Sequence, residues 1–469
     1  MKYEGQPIKI NGELNYYCTW ASQNFIAMNE DVVFGDGGYA DIYPEQRENL
    51  YLVFDDGWDV PYGAGANGTS EFGSLIVDPE KFPSYTGTPA ERLKKFNDAL
   101  KARGWRGLGI WVSPQMYGEN YGIRYADDPE KHKEYWRERM LWCKYADVRY
   151  WKVDWGKDSS VESRRMMTEL AKEVFPELVL EHAKCMGPIN GVVEEGKMRF
   201  CDNKGQYETV LQTLTFAEAF RSYDVTDDML SATSTLDRLV SILPYAVGVV
   251  NSEDELYMGV SLGCSVGIMR SHFGKDLFRM NRRLDEVAAA VKWQKYAPSF
   301  AGGELNVSDR ILEDECFFKE RDTWYSKIIN STVVQKAPAV TARNTELPIV
   351  AESEKMPFVL ASPNPTGAYS LAAIKRKMYL ENTEAPIVSC NVGNTDKVGV
   401  FGDFKEITLC FDAPVRSIFA ESLIRGEGRE LIASEYVDGN KVKISGELLD
   451  SFNAVCDSSD NAVMFRFGF

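Results

Sequence analysis

The sequence predicts an α/β protein with a (β/α)8 TIM barrel over residues 1–352 and a C-terminal antiparallel β-sandwich over residues 353–469. Strand-like and helix-like segments alternate through most of the first part, as parallel βα units require. Polar residues follow several of its apolar strands, where the loops of a barrel carry function. Beyond Met356 helical patterns give way to short strands separated by Gly, Asn, Asp and Pro, which is typical of a sandwich.

The barrel prediction is built from individual segments. “NLYLVFDDGW” (49–58) indicates a buried strand that runs into a loop. “PAERLKKFNDALKARG” (89–104) has apolar residues at helical spacing, Pro89 at its start and Gly104 at its end, so it predicts an amphipathic helix. The next segments continue the alternation: strand 105–114, helix 129–147, strand 148–156, then another helix and strand 177–183. “TELPIVAESEKM” (345–356) contains the predicted domain boundary.

Composition narrows the possible partners. The chain has 469 residues, of which 44% are hydrophobic and 26% charged, so a folded globular protein is expected. The 53 basic and 70 acidic residues give a formal net charge of −17 at pH 7. Because phosphate groups would be repelled, nucleic acid and anionic membrane are not expected as partners. A neutral or cationic small molecule suits an acidic chain better than these partners do. A homo-oligomer is compatible with the composition.

The sequence shows no clear targeting segment and no clear metal-binding motif. The first twelve residues, “MKYEGQPIKING”, lack the apolar stretch of a signal peptide, and the apolar run 239–250 is too short to cross a bilayer. Nine cysteines without CxxC spacing indicate reduced thiols, so a cytoplasmic location is expected. The three histidines are far apart in sequence, so we expect no metal and no cofactor.

Candidate site residues lie where strands end, since the carboxyl ends of barrel strands meet at one rim. “YLVF” is followed by two aspartates and a tryptophan, and “LGIW” ends in a tryptophan. The next two strands deliver a Lys–Asp pair and a Glu–His pair. The candidates from these strands are Asp55, Asp56, Trp58, Trp111, Lys152, Asp154, Glu181 and His182.

The segment “RYWKVDW” (149–155) places two opposite charges among aromatic residues. Side chains alternate along a strand, so Tyr150, Lys152 and Asp154 share one face. If that face points into the barrel, the lysine would keep the aspartate ionised, as a nucleophile requires. The alternative is a structural ion pair, which such spacing fits as well.

Glycoside chemistry would need a second carboxylate, which in retaining enzymes lies about 5–5.5 Å from the first. “FRSYDVTDDM” (220–229) offers Asp224, Asp227 and Asp228, and the residues alone do not separate the three. Helix N-capping is the alternative role for an aspartate there. Trp20, Trp58 and Trp111 could stack on a sugar, or could pack in the core.

“GAGANG” (63–68) matches the G-x-G-x-x-G pattern of dinucleotide sites. It follows a Trp-Asp-Val-Pro loop rather than a strand, so we interpret it as an active-site loop.

Several ordered segments resemble the melibiase-like glycoside hydrolases, the α-galactosidase and α-N-acetylgalactosaminidase group of family 27, related to family 36. “YLVFDDGW”, “YWKVDWG” and “FRSYDVTDD” are similar to the family's aspartate strand end, K-x-D nucleophile motif and arginine-led acid/base segment. “DPEKFPS” with “LKARGWRGLGIWVSP” is similar to the run into the third strand, and “APAVTARN” (337–344) to the last barrel strand. The resemblance covers most of the chain.

The resemblance implies a role for each matching residue. Asp154 would be the nucleophile and Asp224 the acid/base. Asp55 and Asp56 would bind sugar hydroxyls, and Trp20 would line the pocket. The further implied contacts with substrate or carboxylates are Trp111, Lys152 and Arg221.

The chain departs from the family pattern in two places. The Arg221–Asp224 spacing is one residue short, so Asp227 and Asp228 stay as alternatives for the acid/base. “LEHAKCMG” (180–187) differs where the family selects the sugar's C2 substituent, which leaves Glu181, His182 and Cys185 as candidate specificity residues. An α-N-acetylgalactosaminide, a β-L-arabinopyranoside or an α-glucan is therefore an alternative substrate. A Schiff-base enzyme acting through Lys152 and a non-catalytic sugar-binding protein are the alternatives outside glycoside hydrolysis.

Overall fold

The computed structural model describes part of the chain in detail. The described residues are 9–10, 12, 14–19, 28–60, 73–116, 128–154, 156, 159–185, 192–194, 197–199, 212–213, 215–222, 230–234, 256–268, 277–317, 332–376, 383–453 and 460–469. Trp20, Asp224, Asp227, Asp228 and the 63–68 segment lie outside them.

Strands and helices alternate in the N-terminal part. In chain order they are β1 (Lys9–Ile10), β2 (Tyr16–Cys18), α1 (Glu30–Phe34), β3 (Tyr51–Phe54), α2 (Pro89–Ala102), β4 (Gly107–Val112), α3 (Pro129–Ala146), β5 (Tyr150–Val153), α4 (Val161–Val174), β6 (Val179–Cys185), β7 (Val192–Glu194), β8 (Lys197–Arg199), β9 (Ala219–Ser222), β10 (Leu230–Ser234), α5 (Leu256–Ser261), β11 (Ser265–Ile268) and α6 (Leu277–Gln294).

Short strands dominate the C-terminal part. They are β12 (Phe300–Ala301), β13 (Leu305–Val307), β14 (Ile311–Phe317), β15 (Thr332–Pro338), β16 (Val340–Arg343), β17 (Ile349–Val350), β18 (Phe358–Pro363), β19 (Tyr369–Ile374), β20 (Ile387–Gly393), β21 (Lys397–Gly402), β22 (Glu406–Phe411), β23 (Ser417–Ser422), β24 (Gly428–Leu431), β25 (Val437–Asp438), β26 (Lys441–Ser445) and β27 (Ala462–Gly468). The helices α7 (Ala433–Tyr436) and α8 (Gly446–Asn453) lie between them.

Eight strands close into a barrel in the order β10-β11-β2-β3-β4-β5-β6-β9. The six pairs from β11 to β9 are parallel. Strand β10 differs from the predicted (β/α)8 pattern because it runs antiparallel to both neighbours. Only seven residues, 223–229, separate β9 from β10. A parallel crossover needs about a dozen or more residues, so a connection this short favours an antiparallel pair.

Local sequence explains where the helices begin. Thr88 caps α2 and forms a capping box with Glu91, and Asp128 caps α3. Helix α3 packs on the outer face of β5, where the Trp136 and Trp151 rings lie 6.0 Å apart. Trp151 thus points outward, as the alternation predicts.

The C-terminal part contains an eight-stranded sheet, β13-β16-β18-β19-β21-β27-β23-β24, and a five-stranded sheet, β17-β20-β22-β26-β25. Phe411 of β22 and Phe467 of β27 lie 4.7 Å apart, so the two sheets pack face to face as a sandwich. The sheets are mixed rather than purely antiparallel, because β16–β18, β19–β21 and β20–β22 are parallel.

Residues 337–344 do not form the last barrel strand, which corrects that prediction. Strand β16 pairs with β13 and β18 in the eight-stranded sheet, whereas β11 closes the barrel against β2. An apolar strand carries no local signal for its partner, which explains the error. The domain boundary predicted at 352/353 stays a prediction. Strands β13 and β16 precede this boundary, yet they belong to the eight-stranded sheet, whose other strands follow the boundary.

Among the described helices, none combines the length and apolar character needed to cross a membrane.

Candidate active site

A buried ammonium group bridges two carboxylates inside the barrel. Lys152 Nζ lies 2.5 Å from Asp55 Oδ2 and 3.4 Å from Asp154 Oδ2. The three side chains are 2%, 3% and 8% exposed, in the order Lys152, Asp55, Asp154. Because both oxygens contact one nitrogen, they lie no farther apart than these two distances added together. An ion cluster this deeply buried depends on all three charges being present.

Asp55 follows β3 and is held by several donors. Its backbone N–H donates to Thr19 Oγ1 at 3.0 Å, which fixes the strand end. Its Oδ1 accepts from the Asp56 backbone N–H at 2.9 Å, and its Oδ2 accepts from the Cys18 thiol at 2.9 Å. Together with the Lys152 contact, these donors hold the Asp55 carboxylate in one orientation.

Asp154 follows β5 and is oriented from two sides. The indole Nε1–H of Trp111 donates to its Oδ2 at 3.1 Å. Arg164 of α4 donates to the backbone oxygen of Asp154 and, at 2.8 Å, to that of Val153. The side chain and the peptide that carries it are therefore both fixed.

Behind this strand end lies a polar network on the outer face of the barrel. Arg164 Nη1 lies 3.4 Å from His182 Nδ1, and His182 Nε2 lies 2.8 Å from Thr168 Oγ1. Since the arginine can only donate, Nδ1 accepts and the imidazole is neutral, with its proton on Nε2. Burial and the nearby guanidinium place the pKa of His182 well below its usual value, and burial lowers the pKa of Arg164 to about 10.

Three tyrosines and a glutamate form the floor beneath Lys152. Tyr150 lies 5.5 Å from Tyr16 and 5.3 Å from Tyr51 by ring centroids. The hydroxyl of Tyr150 donates to Glu181 Oε2 at 2.5 Å, and that of Tyr16 lies 3.4 Å from Oε1. Glu181 is fully buried and pairs in register with Lys152. The barrel is closed below the cluster by these side chains.

The structure brings together many of the predicted residues. Asp55, Asp56, Trp111, Lys152, Asp154 and Glu181 are all buried at or beneath the strand ends. Trp111 is only 1% exposed and contacts the Asp154 carboxylate rather than offering an open ring face.

Two predicted residues lie away from the cluster. Trp58 is fully buried in the core outside the barrel, where its Nε1–H donates to the Trp111 backbone oxygen at 3.2 Å. His182 follows Glu181 on β6 and therefore points outward, toward α4. Cys185 and Arg221 are placed by backbone alone, in β6 and β9.

Sequence reasoning missed Cys18 and Arg164. Cys18 could have been found, because the alternation from Tyr16 places it on the inner face of β2. Arg164 lies within an ordinary amphipathic helix, so its sequence gives no signal. In the described part of the chain, no group of three or more His, Cys, Asp or Glu residues could hold a metal ion.

No family model matches this chain, and no curated protein matches it. Similar solved structures include a Bacteroides fragilis protein provisionally described as an α-galactosidase/melibiase, with 14% identity, a TM-score of 0.41, and coverage of 97% of this chain and 79% of that one. An α-amylase from Geobacillus thermoleovorans, solved with acarbose, has 11% identity, a TM-score of 0.42, and coverage of 97% and 98%. An Anoxybacillus α-amylase has 10% identity, a TM-score of 0.41 and the same coverages. Likeness at this level does not decide function, which has to come from the site itself.

Proposed function

We propose that this protein is a retaining exo-glycoside hydrolase that removes terminal α-galactosyl-type residues from a small carbohydrate substrate. The observation that carries the proposal is the buried Lys152 bridge between Asp55 and Asp154. These two aspartates follow β3 and β5, whose ends lie at the same rim of the barrel. A carboxylate held rigidly beside a buried cation, as Asp154 is, suits the nucleophile of a double displacement, and the second carboxylate that the reaction needs is proposed to come from the segment after Arg221.

Asp154 is the proposed nucleophile. Its contacts with Trp111 and Lys152 hold the carboxylate in one orientation. Arg164 holds the peptide from behind, so the carboxylate cannot drift along the strand direction. A nucleophile fixed in this way loses little freedom when it attacks the anomeric carbon.

Asp55 is better suited to binding than to proton donation. An acid must carry a proton, whereas Asp55 is surrounded by the Lys152 ammonium, the Cys18 thiol and the Asp56 N–H. All three groups donate, so the carboxylate oxygens of Asp55 act as acceptors in this arrangement. An ionised carboxylate is a strong acceptor for a sugar hydroxyl. We therefore assign Asp55 and Asp56 to substrate hydroxyls.

Asp224 is the proposed acid/base, carried by its motif after Arg221. In the first step Asp154 forms a bond to the anomeric carbon, while Asp224 gives its proton to the leaving oxygen as the glycosidic bond breaks. In the second step Asp224 takes a proton from water, whose oxygen displaces Asp154 and releases the sugar. The two inversions give net retention.

The Schiff-base alternative is disfavoured by the same geometry. A lysine that forms an imine must lose a proton, and two carboxylates within 2.5 and 3.4 Å of Lys152 Nζ stabilise its ammonium form. A protein that only binds sugar does not need a carboxylate fixed like that of Asp154, which Lys152 and Trp111 both contact. Turnover of a glycoside distinguishes catalysis from binding.

The decisive experiment is a panel of nitrophenyl glycosides with wild type, Asp154→Gly and a matched control. Asp78→Asn changes another buried aspartate, one that accepts from the backbone N–H of Glu80 outside the cluster. We expect Asp78→Asn to retain activity and Asp154→Gly to lose it by at least about 10³-fold. Azide should restore turnover of Asp154→Gly and give a glycosyl azide of inverted configuration. A fully active Asp154→Gly variant would refute the nucleophile assignment.

The same panel tests the substrate and the acid/base. Cleavage of an α-N-acetylgalactosaminide, a β-L-arabinopyranoside or an α-glucoside in preference to the α-galactoside would replace the proposed sugar. Single Asp224→Ala, Asp227→Ala and Asp228→Ala variants separate the three aspartates. The acid/base variant should lose most activity on poor leaving groups and keep more on nitrophenyl substrates. Full activity of Asp224→Ala on both would move the role to a neighbour.

A further inference from the structure

Cys18 brings a thiol into the buried ion cluster. It is the last residue of β2 and pairs in register with Val53, so Asp55 follows two positions later on the same inner face. Its Sγ donates to Asp55 Oδ2 at 2.9 Å and lies 3.9 Å from Lys152 Nζ. The sulfur atom, fully buried, is therefore in contact with charged groups.

The contacts of Asp55 can be counted against its capacity. An ionised carboxylate has about four acceptor positions, two on each oxygen. Oδ2 of Asp55 accepts from Lys152 and Cys18, and Oδ1 accepts from the Asp56 N–H. Both positions of Oδ2 are thus occupied, and one position remains, on Oδ1.

We propose that Cys18 is a positioning residue whose thiol occupies Asp55 Oδ2, so that Asp55 accepts one ligand hydroxyl, through Oδ1. This inference rests on the proposed function, because it specifies how the site reads its sugar. A side chain without a donor at position 18 would open Oδ2 to water or to a second hydroxyl. Cys18 would thereby set both the orientation of Asp55 and the number of hydroxyls it recognises.

The competing explanation is that Cys18 only fills space. Its neighbours inside the barrel include Tyr51, Val53 and Tyr150, which form a small apolar cluster with it. A filler would tolerate serine and alanine to a similar degree, whereas a donor would tolerate serine alone. Cys390 of β20 is a matched control, since it is a buried cysteine in the C-terminal sandwich.

The first test compares Cys18→Ser, Cys18→Ala and Cys390→Ala on the glycoside that wild type cleaves best. We expect Cys18→Ser to keep KM within about twofold of the wild-type value. Cys18→Ala should raise KM roughly tenfold and change kcat less than about threefold, because it loses one hydrogen bond to a charged group, the Asp55 carboxylate. Cys18→Ala should also discriminate less against monodeoxy analogues of the sugar. Equal KM values for the serine and alanine variants would overturn the proposal.

The second test does not need turnover. The Cys18 thiolate can be titrated by its absorbance near 240 nm, as the difference between wild type and Cys18→Ser. In Asp55→Asn the anionic acceptor is lost while Lys152 remains beside the sulfur, so we expect the titration midpoint to fall by about one pH unit or more. An unchanged midpoint would overturn the Cys18–Asp55 contact. The midpoint could also fall in a protein that cleaves no glycoside. That result would refute the proposed function, and with it the recognition of a sugar hydroxyl by Asp55. It would still support Cys18 as the residue that orients Asp55.

Discussion

Replacing Lys152 by methionine tests the charge frame of the site directly. Methionine fills a similar volume but carries no charge. The variant would leave the Asp55 and Asp154 side chains buried, at 3% and 8% exposure, without the ammonium that bridges them. The site then holds two close anions, which is the arrangement that a low-dielectric interior tolerates least.

The expected loss can be worked from the contacts. Removing one partner of a buried ion cluster costs about 3–5 kcal/mol, because the remaining charge stays desolvated. The Trp111 and Cys18 donors remain on Asp154 and Asp55, so we expect a value near the lower end, about 3 kcal/mol at pH 7.

The assay is urea unfolding followed by tryptophan fluorescence at pH 7. Lys101→Met is the matched control: Lys101 pairs with Asp147 at 2.6 Å, with side chains 39% and 43% exposed. A pair exposed to this extent contributes about 1 kcal/mol or less. A Lys152→Met variant as stable at pH 7 as Lys101→Met would refute the reasoning.

Three further predictions concern the surroundings of the site. Trp111→Phe removes the donor to Asp154 and should lower kcat/KM about 10–100-fold in steady-state assays with little change in melting temperature; unchanged kinetics would contradict the assigned contact. Gly267→Ala would place a Cβ 2.3 Å from Tyr16 Cζ, so thermal melts should show a loss of about 1–3 kcal/mol, and an unaltered melt would contradict the barrel packing. Burial lowers the pKa of His132 from 6.5 to about 4. As pH falls, His132 therefore takes up a proton in the unfolded chain before it does so in the folded protein. The free energy of unfolding should fall by at most about 3 kcal/mol as pH drops from 6.5 to 4. His132→Gln, whose amide oxygen can still accept from Trp136 Nε1–H, should lose this part of the pH dependence of urea unfolding, and an identical slope would disprove it.

The strand faces were predictable because side-chain alternation is a local property. On β5, Lys152 points inward to Asp55, whereas Trp151 points outward and donates to Cys143 Sγ at 3.3 Å on α3. On the next strand the same rule sends Glu181 inward and His182 outward, although the sequence analysis groups the two residues at one strand end. The error came from grouping neighbours that a strand sends to opposite faces.

Strand partners were not predictable in this way. Residues 337–344 have the apolar, β-branched character of a strand, and the sequence does not say whether a barrel or a sandwich receives it. The short connection from β9 favours an antiparallel β10, but its other partner, β11, is set only when the barrel closes.

The sequence by itself determined the alternation of strands and helices, the helix that begins at Pro89, and the inward direction of Lys152, since each depends on residues a few positions apart. Only the tertiary structure decided which charges meet. Lys152 reaches Asp55 across 97 positions and lies near Cys18 across 134, and Arg164 supports Asp154 from a different element. Such contacts form because barrel closure brings distant strand ends to one rim, and no local pattern in the chain encodes that distance.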